Sequence, residues 1–395
     1  MMKERIKKMV AENAADIKAI REHLHANPEL SFQEYETSAF VCKTLDEWDI
    51  TYKMGFVKTG IVAVIEGRNP SKKIIALRGD MDALPILEEN TVAYKSKNEG
   101  VMHACGHDVH TSCVLGAAKV LQALREEFEG TVKIIFQPGE ELLPGGASLM
   151  IKEGALENPK PSTIIGQHVM PDLAVGKVGF RPGMYMASAD EVHFTVHGKG
   201  GHAALPHYNI DPVLITSHII VALQQLVSRR CKPGVPCVLS FGSVEAKGAT
   251  NVIPDKVEVK GTFRTMDETW RKEAHKLIVK MAQEMAISMG GTCDIRVDVG
   301  YPFVYNDEAL TGFAIDAAKE YMGEENVVSL DMRMTGEDFS FYTHHMPGCF
   351  YRLGTGNEAR GITSGVHTPT FDVDEQALEI GTGMMAYLAY KQLTA

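Results

Sequence analysis

Short β-branched runs alternate with helix-length amphipathic stretches in this chain, and a block with a different order interrupts the alternation once. That interruption constrains the fold most. Ile61–Glu66 and Lys73–Arg78 read as strands, and Val132–Gln137 and Thr163–His168 as buried ones. Between them, Val109–Leu124 carries Val114, Leu115, Ala118, Leu121 and Leu124 in a helical stripe. Such alternation builds a helix-flanked, parallel or mixed sheet. After Arg181-Pro182-Gly183 the order becomes strand (Glu191–His197), helix (about 212–228), strand (Cys237–Val244), strand (Lys256–Arg264), helix (Glu268–Met289) and strand (Asp294–Val299). That is the order of a small α+β sandwich. The tail returns to helix, strand and a last helix over Glu375–Leu393. The expectation is an α/β fold of two domains: 1–184 with 301–395 forms the larger, mixed-sheet domain, and 185–300 is inserted in it. A chain of 395 residues agrees with this at roughly 150 residues per domain.

Composition removes several function classes. The net charge of −11 argues against nucleic acid as the main partner, since phosphate binding draws on excess Lys and Arg. No apolar run approaches the roughly 18 residues of a membrane-spanning helix. The N-terminus is too charged for a signal peptide, and Ile6, Met9, Val10, Ile17, Ile20 and Leu24 trace one helical face instead. Seven scattered cysteines without a CxxC pair do not form a disulfide framework. A cytoplasmic protein is expected.

The densest chemistry lies in Met102-His-Ala-Cys-Gly-His-Asp-Val-His110, just before a predicted helix. Cys105 and His107 suit borderline transition metals, and Gly106 lets the backbone turn both toward one point. The bland alternative is a polar helix start with Asp108 near the cap. A second cluster, Phe136-Gln-Pro-Gly-Glu-Glu141, ends an apolar strand in two adjacent carboxylates that point different ways. One could bind metal while the other takes a proton from an attacking water. His168 ends another apolar strand, and His367 precedes the last helix. Cys105, His107, Glu141, His168 and His367 make a five-donor set, more than one tetrahedral ion needs and suited to two divalent ions.

Eight segments stand in order along the chain: Leu77–Pro85 (LRGDMDALP), Met102–His110, Phe136–Glu141, Gly200-Gly-His-Ala203, Thr250-Asn-Val-Ile-Pro254, Gly261-Thr-Phe-Arg264, Gly336-Glu-Asp-Phe339 and Val366–Asp374 (VHTPTFDVD). Together they resemble the M20 metallopeptidase family, in its amidohydrolase branch of hippurate, N-acyl-amino-acid and auxin-conjugate hydrolases and N-acetyl-diaminopimelate deacetylase. Arg21-Glu-His-Leu-His25 with Pro28-Glu-Leu30 is similar to that branch's opening. The resemblance implies that the five donors hold two metal ions (Mn, Zn, Co or Ni), with Cys105 bridging and Glu140 as general base. The wider family has His-x-Asp where this chain has Asp80-Met-Asp82, a change typical of the branch, which leaves Asp82 as support behind the ligands. Leu142-Leu-Pro144 stands where branch members often have glycine.

The implied function is metal-dependent hydrolysis of an N-acyl (acetyl, benzoyl or similar) amino acid to a carboxylic acid and an amino acid. The resemblance makes the inserted domain a lid or dimerisation domain. It gives His202 to the oxyanion of a partner subunit's site in a homodimer, and makes Asn251 and Arg264 anchors for the substrate carboxylate. Three alternatives stand beside this: a di- or aminopeptidase with the same centre, a non-catalytic binding protein with a degenerate site, and a thiol hydrolase using Cys105 and His107. Triad members usually come from distant segments, which disfavours the last.

Overall fold

A computed structural model of the chain describes residues 2–395. The chain forms two compact units. One comprises the chain up to Tyr185, Tyr305–Asp331 and Asp338–Ala395; the other comprises Met186–Val304 and Met332–Glu337.

The larger unit is built on an eight-stranded mixed sheet. From edge to edge its strands are Thr51–Phe56, Gly60–Glu66, Thr131–Gln137, Ile74–Asp80, Thr163–Ala174, Gly348–Gly356, Val178–Phe180 and Val327–Ser329. The four from Thr131–Gln137 to Gly348–Gly356 run parallel. Every residue of Thr131–Gln137 and of Gly348–Gly356 is buried. That explains why their sequences do not alternate apolar with polar, because a strand covered on both faces has no polar side; the buried charged exceptions are Lys133 and Arg352. Helix His107–Ala123 is buried along nearly its whole length and packs against Ala14–Ala26 and Gln376–Thr394. The N-terminal apolar face is divided between two helices, Met2–Glu12 and Ala14–Ala26, and both halves bury their stripe: Ile6 and Val10, then Ile17, Ile20 and Leu24. The strand expected to end at His168 continues to Ala174. Asp80 and Gln137 pair at the carboxyl ends of adjacent parallel strands, so the loops that follow them open on one edge of the sheet, where open α/β sheets place their sites.

The smaller unit has a four-stranded antiparallel sheet in the order Cys237–Ala246, Lys256–Thr265, Asp190–His197, Thr292–Val299. Val192, Phe194 and Val196 alternate inward from Asp190–His197 and join a core with residues of helices Pro212–Gln225 and Glu268–Ser288. Both helices start where their sequence says they should. The Asp211 carboxylate accepts the Val213 and Leu214 amides ahead of Pro212, and Asp267 accepts the Trp270 amide. Among the described residues no helix is long and apolar enough to cross a membrane.

Candidate metal centre

The turn at Gly106 sets the first two donors. Gly106 is left-handed (φ +82°), and a Cβ there would lie 2.6 Å from Val169 Cγ2, so only glycine fits between Cys105 and His107. Asp108 does not cap the helix. It is buried, accepts Arg21 Nε at 2.8 Å and pairs with His25 Nδ1 at 2.7 Å. Burial alone would raise its carboxyl; the charges of Arg21 and His25 hold it far below the usual range. The Arg21–His25 segment thus anchors the start of the helix that carries His107.

All five expected donors lie in the larger unit, and the structure brings them together. His107 donates Nδ1–H to Asp82 Oδ1 (3.1 Å), and His168 donates Nδ1–H to the Val169 carbonyl (2.8 Å). Both rings therefore turn Nε2 inward, toward the space a cation would take. Cys105 Sγ lies 3.4 Å from His168 Nε2 and 3.3 Å from His367 Nε2. Glu141 Oε1 lies 3.1 Å from His367 Nε2 and 4.0 Å from His107 Nε2. His107 Nε2 and Glu141 Oε1 are buried without a hydrogen bond of good geometry. Donors about 2.0–2.3 Å from a tetrahedral ion stand roughly 3.3–3.8 Å from one another. Two of the donor groups share Cys105, namely Cys105–His107–His168 and Cys105–Glu141–His367, while His107 also groups with Glu140 and Glu141 and with Asp80 and His110. The residues fit a pair of divalent ions. His367 is left-handed (φ +62°), with its amide bound to the Ala104 carbonyl at 2.7 Å, a strained backbone of the kind that collects at functional sites.

The electrostatics agree. Burial pushes the His107 imidazole down, but Asp80, Asp82 and Glu141 pull it up to about 10. The pocket therefore favours positive charge. Burial, then Glu141 and Glu140, push the Cys105 thiol far up. A thiol held protonated is a poor nucleophile, which disfavours the thiol-hydrolase alternative, whereas a cation would stabilise the thiolate. Burial holds the His168 imidazole well below its ordinary range, ready for a cation, whereas His107 would give up its second proton to one.

The loop with the two glutamates has no regular structure and is held from three sides. Asp82 Oδ2 accepts the Glu141 amide (3.0 Å) and the Ser31 hydroxyl (2.7 Å). Asp338 accepts the Ala147 amide (3.0 Å), Gln137 Nε2 (2.7 Å) and Arg78 (2.8 Å). Glu34 accepts the Gly139 amide (2.8 Å). Glu140 itself is buried, and its Oε1 accepts the Asp338 amide at 3.3 Å. The sequence reading singled out Asp82 but missed Ser31, Glu34 and Asp338 as members of this site. Their only signal was their place inside matched segments or beside Pro28-Glu-Leu30.

The smaller unit holds the other three candidates. His202, in the two-residue strand Gly201–His202, pairs with Val252, and the adjacent Asn251 carbonyl accepts the Ala203 amide at 3.0 Å. His202 and Asn251 are thus neighbours, both exposed. Arg264 stands apart from them on strand Lys256–Thr265, with Nε on Thr262 Oγ1 at 2.9 Å.

Fold and site together define a class, the metal-dependent hydrolases acting on amide bonds. The chain belongs to peptidase family M20/M25/M40, which matches it over residues 76–391. It is 39% identical to N-acetyl-L-cysteine deacetylase of Bacillus subtilis over 95% of this chain and 87% of that protein. It is 42% identical to N-acyl-L-amino acid amidohydrolase of Geobacillus stearothermophilus over 78% and 83% of the two chains. Among solved structures, the Bacillus subtilis YXEP protein, a dinuclear metal binding peptidase from the M20 family, superposes with a TM-score of 0.80. It is 35% identical, with 97% and 99% of the two chains covered.

Proposed function

We propose that this chain hydrolyses N-acyl amino acids at a centre of two divalent ions held by Cys105, His107, Glu141, His168 and His367. The observation that carries the reading is the membership of Cys105 Sγ in two donor groups, one with His107 and His168 and one with Glu141 and His367, with Glu140 grouped beside His107 and Glu141. When bound, the ions supply Lewis acidity that polarises the amide carbonyl and acidifies water. Glu140 takes the proton of the attacking water and delivers it to the leaving amine. The Asp338 amide on Oε1 orients this base. His202, exposed on the smaller unit, donates to the oxyanion in the site of a partner subunit, so the active species is a homodimer. Arg264 and Asn251 bind the substrate carboxylate, Arg264 through charge-assisted hydrogen bonds. The thiolate donor favours the softer of Mn, Zn, Co and Ni. Seven cysteines, all unpaired, support a cytoplasmic setting.

A panel of N-acyl amino acids, their C-terminal amides and dipeptides, assayed after EDTA and after adding back each metal, tests the reading. N-acyl amino acids should turn over only with metal, and Arg264→Ala should weaken kcat/KM for them more than for the amides. Turnover unaffected by EDTA, or cleavage of dipeptides alone, would overturn it.

A further inference from the structure

We propose that Glu34 is a positioning residue for this reaction, holding the loop that carries Glu140 and Glu141 through the amide of Gly139. It rests on Glu140 being the general base. Glu34 is fully buried just ahead of helix Tyr35–Glu47, more than a hundred residues from that loop in sequence. Its Oε1 accepts two amides, Phe32 N and Gly139 N, each at 2.8 Å, and its Oε2 accepts the Thr59 hydroxyl at 2.8 Å.

The two turns it joins are both left-handed. Phe32 has φ +64° and Gly139 φ +60°. They face each other closely, since a Cβ on Gly139 would lie 2.4 Å from Phe32 Cε1. One carboxylate oxygen therefore ties together two left-handed turns, one of which, at Phe32, local preference does not favour.

The other two carboxylates on the loop have further partners near the donors. Asp82 also bonds His107, and Asp338 also bonds Arg78 and Gln137. Glu34 bonds no donor residue, so its effect on chemistry passes through Gly139, the residue before Glu140. Burying a carboxyl is unfavourable, and this one is pushed up to about 7 by its burial and by Asp82. A neutral residue would hold helix Tyr35–Glu47 with less penalty; what the carboxyl adds is an acceptor for two amides at once.

The test compares Glu34→Met, which keeps volume but accepts nothing, with Glu34→Gln, whose carbonyl can take both amides while its NH2 faces Thr59. Both are measured as metal-loaded enzyme, with Glu140→Gln and the double variant Glu34→Met/Glu140→Gln alongside. Misplacing a reacting group by about 1 Å costs on the order of 10²-fold. Glu34→Met should lower kcat by about 10- to 100-fold with KM within about threefold, and Glu34→Gln should recover most of that loss. Mn2+ affinity, read by chelator competition, should fall in Glu34→Met, because Glu141 lies on the same loop. In the Glu140→Gln background Glu34→Met should cost little more, since the base it positions is gone.

Full additivity in the double variant, or a folded Glu34→Met with wild-type kcat, would overturn the proposal. So would Glu34→Gln as impaired as Glu34→Met. If Glu34→Met fails to fold, Glu34→Ser, too short to reach either amide, replaces it; failure of both makes Glu34 a folding residue and likewise overturns the proposal. An active Glu140→Gln would instead overturn the assignment of the base.

Discussion

Asp82 Oδ1 receives the Nδ1–H of His107 at 3.1 Å, and this one hydrogen bond decides which ring nitrogen of His107 faces the other donors. With Nδ1 committed, Nε2 turns inward, buried without a hydrogen bond, 3.7 Å from Asp80 Oδ2 and 4.0 Å from Glu141 Oε1. Partners of this kind behind a ligand are worth about 10- to 100-fold in metal affinity. Asp82→Ala should weaken the binding of Zn2+ or Mn2+ by that factor, measured by competition with a chelator. An unchanged affinity would mean that the ring is oriented by its packing alone.

Cys105 is the donor common to the group of His168 and the group of His367, whereas those two histidines each belong to one of them. Metal stoichiometry should follow that division. The wild-type chain should hold about two ions, His168→Ala about one, and Cys105→Ala fewer than His168→Ala. Plasma mass spectrometry on the dialysed variants reads this directly. Equal loss from Cys105→Ala and His168→Ala would remove the bridging role.

His202 offers a test of the proposed dimer by complementation. Glu140→Gln and His202→Ala should each be inactive alone. If His202 serves the partner's site, mixing them by subunit exchange should restore about a quarter of wild-type activity, because about half the dimers are hybrids with one intact site. No recovery, with exchange demonstrated, would place His202 in its own subunit or outside the reaction.

Glu34 makes stability depend on pH. Burial first, then the charge of Asp82, moves its carboxyl from 4.5 to about 7, so the folded chain holds this proton more tightly than the unfolded one. Its stabilising contribution is fully present below pH 4.5 and is lost as pH rises through about 7. At about 1.4 kcal/mol per pKa unit the loss is at most roughly 3 kcal/mol. Urea unfolding at pH 5 and pH 8, with chelator throughout, should show wild type losing more stability than Glu34→Gln between the two. Parallel losses would contradict this assignment.

Much of the scaffold was legible because burial writes it into the sequence. The mainly apolar, non-alternating run Val132–Gln137 belongs to a strand covered on both faces, and the period-two stretch Glu191–His197 to a strand with one face on helices. The candidate donors were legible because thiol, imidazole and carboxylate cluster in short segments, Cys105 and His107 at a helix start and Glu141 in the loop after a strand. What sequence did not reveal is how the glutamate loop is held. Glu34 and Asp82 each accept one amide from it, Asp338 accepts the Ala147 amide of the helix that follows, and all three come from distant segments. A backbone amide leaves no mark in a sequence, so a side chain chosen to accept one looks like any other acidic residue. Asp108 is a further case: it is buried on Arg21, which lies 87 positions away.

The central claim is a two-ion centre with Glu140 as the base, and Glu140→Gln tests it most directly when metal content and turnover are measured on one preparation. The amide keeps the shape of the carboxylate but cannot take the water's proton. Metal content should match wild type while kcat on an N-acyl amino acid falls by about 10²–10⁴-fold. Wild-type turnover with full metal content would contradict the account.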